Sequence, residues 1–235
     1  MEAFEILSHI PLFKGLPDDQ LRILAGCASE RRYRPGEAIF IQEDEAQALY
    51  LVIWGRVKIF KASEDGREQT IFMFGPGEPF CLTALADEFS PASAMALDEV
   101  RIFSFSAKVL ESVARKEPSL LFNMLLVLSR RLKESLSLIE ALALKDIPQR
   151  LSAYLAAVLV QQGAGEVIEL GFSQRELAKV LGTTPETLSR VFRKLETEGV
   201  LEVRNRSIRV IDADALLKSS GKDDPDNPRA DRRGR

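Results

Sequence analysis

Cysteine, histidine and tryptophan are scarce here: two, one and one in 235 residues. Cys27 and Cys81 cannot build a disulfide framework, and they supply neither the paired spacing of a zinc site nor the four thiolates of an iron–sulfur cluster. A lone histidine, His9, gives no base set beside a nucleophile, and the chain has no glycine-rich phosphate loop and no G-x-S-x-G elbow. An enzyme finds no constellation in it. No apolar run approaches the roughly eighteen residues of a membrane span. The start, "MEAFEILSHIPLF", is acidic, has a short apolar part and lacks a small-residue cleavage site, so it does not read as a signal peptide and the chain is expected in the cytoplasm with no membrane partner. Positive charge is not in excess either. A formal net charge of -3 gives no general attraction to nucleic acid, so any DNA affinity must come from a local patch.

What is present suits two globular domains: 46% hydrophobic and 29% charged residues over 235 positions. After the short helical segment "LPDDQLRILAGCA", the pattern changes at Tyr33 to runs rich in Ile, Val, Phe and Tyr, cut by Pro35-Gly36, Gly55, Asp65-Gly66 and Gly75-Pro76-Gly77. Such spacing predicts an antiparallel β-roll, continued by "ASAMALDEVRIFSFS" and ending near residue 117. Pro118 opens a long helix, 118–145, in which Leu125, Leu128, Leu132, Ser135, Ile139 and Leu142 alternate by three and four. That is a coiled-coil seam with one polar member, and it points to a dimer.

Asp146-Ile147-Pro148 reads as a break and a new helix cap, which is the expected hinge. Beyond it, Ser173-Gln174-Arg175-Glu176 is a capping box, Gly182 ends that helix, and Thr184 caps the next with Pro185 at its first position. "GVLEVRNRSIRVID" then gives two short strands around Arg204-Asn205-Arg206. Helix, tight turn, helix and hairpin over 146–217 predict a winged helix-turn-helix, so the whole is an α+β chain. Residues 218–235 hold one alanine and no other apolar side chain, and are expected to form a disordered tail.

In "TTPETLSRVFRKLE", Leu188, Val191, Phe192 and Leu195 share one face, leaving Glu186, Ser189 and Arg190 on another in the first two turns. Arginine can donate twice to guanine, glutamate can accept from cytosine N4, and serine can serve either. A bare i,i+4 pair between Glu186 and Arg190 would merely stabilise a solvated face. Across 172–211, however, eight basic residues oppose five acidic ones in an acidic chain. Candidate DNA contacts are therefore Ser173, Arg175, Thr183, Thr184, Glu186, Ser189, Arg190, Arg193, Arg204 and Arg206, and the expected partner is double-stranded DNA.

Two stretches, "YLVIWGRVKIFK" and "SQRELAKVLGTTPETLSRVFRKLETEGVLE", carry a resemblance to the Crp/Fnr family of bacterial transcription regulators that extends from about residue 5 to 217. The resemblance implies a cyclic-nucleotide-binding-like, jelly-roll sensor, a dimerisation helix and a homodimer on an inverted repeat that engages RNA polymerase. Glu186, Ser189 and Arg190 are similar to the Fnr-type reader of TTG-containing half-sites; Pro185 stands where the cAMP-type branch has an arginine. Cys81-Leu82 and Ala92-Ser93 occupy the places of that branch's Gly-Glu and Arg-Ser steps, so a buried phosphate would lack its arginine and cAMP is not the expected effector.

An apolar pocket between roll and long helix is expected instead, from Phe72, Phe74, Phe80, Cys81, Leu82, Leu85, Met95, Leu121 and Leu125. The P-E-T-x-S-R stretch at 185–190, together with the missing nucleotide residues, resembles the nitric-oxide and nitrosative-stress sensors of the Dnr and HcpR type, which implies haem in such a pocket with His9, Cys81, Met73 or Met95 as ligand. Alternatives are a small organic effector, a thiol switch at Cys81 or Cys27, and, in a different class, a regulatory subunit that does not bind DNA.

Overall fold

The computed structural model describes residues 3–45, 48–82, 89–163, 166–204 and 207–221. Contacts divide the chain into two compact units, Met1–Leu136 and Ser137–Arg235. The division falls inside the long helix.

The first unit is a roll of two four-stranded antiparallel sheets. One runs β1 (Ser29–Tyr33), β8 (Val100–Ser106), β3 (Ala48–Trp54), β6 (Pro79–Phe80). The other runs β2 (Ala38–Phe40), β7 (Ser93–Ala96), β4 (Val57–Ala62), β5 (Glu68–Phe74). Strand alternation fills the space between them: Val52, Phe80 and Ile102 from one sheet meet Val57, Phe74 and Ala94 from the other. The β3–β4 turn requires Gly55, whose φ is 79° and whose added Cβ would lie 2.1 Å from the Glu99 carbonyl oxygen.

A second core covers the outer face of the first sheet. Leu49, Leu51, Phe103 and Phe105 pack under α1 (Ala3–Ser8), a 3-10 turn (Pro11–Phe13), α2 (Asp18–Cys27), α3 (Ala107–Lys116) and the start of α4. The last, Pro118–Leu144, is 27 residues long, about 40 Å at the helical rise. Its N-terminal part belongs to this unit: Leu120 and Met124 are buried, and Asn123 Nδ2 donates to the Leu12 and Lys14 carbonyls.

In the second unit, Asp146 caps α5 (Ile147–Gln161) through a reciprocal capping box with Gln149. There follow β9 (Val167–Glu169), α6 (Gln174–Val180), α7 (Pro185–Thr197), β10 (Leu201–Arg204), β11 (Ser207–Val210) and α8 (Ala213–Ser219). The sheet order is β10-β11-β9. Leu177, Leu188, Phe192, Ile208 and Leu216 share one core with Leu151 and Leu155 of α5. Residues 218–220 are ordered, against the expectation of a tail from residue 218. Asp212 caps α8 by accepting from the Ala215 N–H, Lys218 and Ser219 lie in that helix, and Ser220 is buried behind it. Residues 222–235 lie outside the described residues.

Candidate nucleic-acid interface

Three caps aim the helix-turn-helix. Ser173 Oγ accepts from the Glu176 N–H at 3.3 Å and starts α6. Gly182, with φ 64°, makes the turn, and the Thr183 N–H closes it on the Ala178 carbonyl at 2.9 Å. Thr184 Oγ1 then accepts from the Thr187 N–H at 3.3 Å and Pro185 opens α7. Leu188, Val191, Phe192 and Leu195 are buried, which forces Glu186 and Arg190 out into solvent with Ser189 half-buried between them.

The charges at this surface are not self-neutralised. Among the described residues Lys179 pairs with Glu176, Lys194 with Glu198, Arg204 with Glu202 and Arg209 with Glu166, whereas Arg175, Arg190 and Arg193 enter no ion pair. Arg190 Nη2 donates instead to Thr187 Oγ1 at 3.1 Å. Glu186 is held below the ordinary 4.5 by its own backbone N–H and the Thr184 hydroxyl, then by Arg175 and Arg190. It is therefore an ionised acceptor at neutral pH. Ser173, Arg175, Thr184 and Arg193 are exposed and Thr183 is half-buried, on the same helices and turn. Arg204 ends β10 and is tied to Glu202; Arg206 lies outside the described residues.

On α4 the apolar seam is open. Leu125, Leu128, Leu132 and Ile139 are 57%, 48%, 63% and 62% exposed. Ser135 spends its hydroxyl on the Arg131 carbonyl of its own helix, and Leu142 is half-buried.

The expected effector residues do not all meet. Phe74 and Phe80 are buried between the sheets, with Phe72 and Cys81 packed on the same cluster and Tyr50 stacked on Phe80 at 5.2 Å. Burial, with the Cys81 thiol adding to it, pushes the Tyr50 hydroxyl above its ordinary value. Cys81 itself takes a φ of 61°, the left-handed region that favours glycine. Leu82 packs instead with the outer, helix-covered core. Met73 and Met95 are both cross-strand partners of Lys58, while Val57 pairs with Phe74 and Ala96. Cross-strand partners share a face and neighbours alternate, so both methionines leave the sheet on the side away from Phe74. Leu121 is 54% exposed and lines no cluster with these aromatics. His9 Nδ1 bonds the Glu5 carbonyl at 2.8 Å and borders a different space, a trench of about 1530 Å³ lined by residues such as Arg32, Tyr33, Trp54 and Arg101. Leu85 falls outside the described residues.

One residue the sequence did not single out stands at the aromatic cluster. Arg131 of α4 lies 4.3 Å from the Phe74 ring centroid and 5.7 Å from that of Phe72, and its Nη atoms donate to Glu78 and Glu134 at 2.8 and 2.7 Å.

A roll followed by a winged helix-turn-helix whose recognition helix projects an unpaired Arg and an ionised Glu defines a DNA-binding regulator. Residues 30–117 match the cyclic nucleotide-binding domain and residues 149–219 the Crp-like helix-turn-helix domain. The chain is 34% identical over 209 residues to the Cyclic AMP receptor protein of Thermus thermophilus, covering 88% of this chain and 95% of that one. It is 25% identical over 195 residues to the transcriptional activator FnrA of Stutzerimonas stutzeri, covering 81% and 80%. A CooA variant from Carboxydothermus hydrogenoformans superposes with a TM-score of 0.78 at 25% identity, covering 94% of this chain and 96% of that one. The chain belongs to the Crp/Fnr family: it is a DNA-binding transcription regulator and not an enzyme. No helix among the described residues is long and apolar enough to cross a membrane.

Proposed function

We propose that this regulator acts as a homodimer on an inverted repeat of TTG-type half-sites. The observation that carries this reading is the first two turns of α7, where Glu186 is ionised and Arg190 has no carboxylate partner among the described residues, so both are available to base edges. The exposed seam from Leu125 to Ile139 supports the dimer, because two copies would bury a run of leucines that one copy leaves in water. Contact with RNA polymerase follows from the same reading. Gel retardation of a duplex with two inverted TTG half-sites tests it; a complex of two chains per duplex, lost when the TTG steps are scrambled, is the expected result.

The effector, on this reading, is a largely apolar or aromatic molecule at Phe72, Phe74 and Phe80. The Thermus relative is named for cyclic AMP. Here Ala92 is 6% exposed and brings no guanidinium, the Ser93 hydroxyl already accepts from the Gln42 N–H, and Arg131 is neutralised by Glu78 and Glu134. A phosphate would have to displace those carboxylates. Haem answering nitric oxide is one such molecule. Of His9, Cys81, Met73 and Met95, only Cys81 packs on the aromatic cluster, so it is the ligand this reading favours. Anaerobic reconstitution tests this: a Soret band moved by nitric oxide and weakened in Cys81→Ser supports haem, and loss of haem on desalting moves the weight to an organic effector or a thiol switch at Cys81 or Cys27.

A further inference from the structure

Arg150 sits at the fourth position of α5, at the end of its own helix where a positive charge is unfavourable to the helix dipole. Its guanidinium turns away from α5 and finds four carbonyls. Nε donates to Ala141 at 3.0 Å and to Lys145 at 2.9 Å, Nη2 to Leu142 at 2.8 Å, and Nη1 to Leu181 at 3.0 Å. None of the four is a carboxylate, and two separate stretches of chain, 141–145 and Leu181, are held by one side chain of α5.

The identity of those carbonyls gives the arrangement its meaning. Ala141 and Leu142 belong to the last turn of α4; the Ala141 carbonyl already accepts from the Lys145 N–H at 3.1 Å, and carbonyls beyond it run out of helical partners. Leu181 is the C-cap of α6, its own N–H bonded back to the Leu177 carbonyl and its oxygen at the helix's negative end. Leu181 is followed by Gly182, Thr183 and Thr184, the turn that launches α7. A planar fork can span carbonyls that diverge in this way, and a lysine ammonium on a single flexible stem cannot reach all of them in one geometry.

We propose that Arg150 is the positioning residue that braces the expected hinge at Asp146-Ile147-Pro148, fixing the launch of the recognition helix to the last turn of α4. The proposal rests on the dimer and inverted-repeat reading, because its consequence is geometric: in a two-fold dimer the ends of the two α4 helices then set the separation and tilt of the two α7 helices. Half-sites must lie about one helical turn apart for both to enter the major groove. A rigid link makes the protein strict about that spacing. A broken link leaves α7 itself intact, since its caps and core come from other residues, and loosens only its relation to α4.

The test uses the full chain, as wild type, Arg150→Gln and Arg150→Lys, with duplexes whose inverted TTG half-sites are centred about 9, 10 or 11 base pairs apart. Wild type is expected to favour one spacing by about tenfold or more, since one base pair rotates a half-site by about a tenth of a turn. Arg150→Gln should flatten the preference to within about threefold while keeping the same affinity for duplex without half-sites. Arg150→Lys should fall between them. Hydrogen exchange without DNA gives a second readout: amides of 181–187 should exchange faster in Arg150→Gln while those of Leu151 and Leu155 stay protected. A variant that keeps the wild-type ranking of spacings, or loses affinity equally at all three, overturns the proposal and leaves Arg150 a stabiliser of the fold. Should wild type show no spacing preference, the inverted-repeat reading fails, and unchanged exchange at 181–187 then rejects the link independently.

Discussion

Arg190 bonds Thr187 Oγ1 at 3.1 Å and makes no ion pair with Glu186, although the two stand four residues apart on α7. From the cap side its own N–H and the Thr184 hydroxyl hold the Glu186 carboxyl below its ordinary value and so favour the ionised form. A helix that needed the pair only for stability would close it. Here both charges remain open to an outside partner.

Removing the guanidinium should therefore be felt in DNA binding and not in folding. Arg190→Ala is expected to cost about 1–3 kcal/mol per half-site and to relax preference at one guanine, with the melting temperature within a degree or two of wild type. Truncation after residue 221 is expected to lower only the salt slope and the affinity for arbitrary duplex. Competition titrations at fixed salt separate the two.

The pH dependence of Glu186 follows from the direction of its shift. Its folded pKa lies below 4.5, so the interactions that stabilise its ionised form are fully present above that ordinary value and fade as pH falls through the lowered one. Base selectivity that depends on Glu186 should hold from neutral pH down to about pH 5, where an ordinary carboxylate is still mostly ionised. Selectivity lost between about pH 6 and 7 would assign it to another group.

Leu132→Asp places like charges across the proposed two-fold, at a side chain that is 63% exposed in the single chain. Monomers by light scattering, an unchanged far-ultraviolet spectrum and no retarded operator complex are expected. A dimer mass after this change puts the interface elsewhere.

Two backbone positions make opposite stability predictions. Gly55→Ala forces a Cβ to 2.1 Å from the Glu99 oxygen at a φ of 79°, and should destabilise the roll by at least about 2 kcal/mol. Cys81→Gly relieves a left-handed non-glycine residue, and should raise the melting temperature unless the thiol holds a bound group. Thermal unfolding of the two variants checks both signs.

Much of this was legible in the sequence, for local reasons. Pro118, the Asp146 cap, the Ser173 and Thr184 caps and the Gly182 turn are signals confined to a few residues, and each marks an element start or stop at that place. The pocket was less legible because it depends on which sheet face each residue takes. Met95 and Phe74 are equally apolar, but pairing puts them on opposite sides, and composition alone cannot show pairing. Helix α8 was missed because its apolar content is confined to Ala213, Ala215, Leu216 and Leu217, with the Asp212 cap as its signal. The Arg150 link was illegible for another reason: its partners are backbone carbonyls up to 31 positions away, and carbonyls leave no mark on sequence.

The decisive measurement is equilibrium binding of the full-length protein, by fluorescence anisotropy at one fixed salt concentration, to a duplex with two inverted TTG half-sites and to the same duplex with both half-sites scrambled. A preference of about 10³ or more for the intact repeat is expected, reduced in Arg190→Ala, with two chains bound per duplex. Equal affinity for the two duplexes, falling in parallel as salt rises, would mean that α7 does not read bases at all.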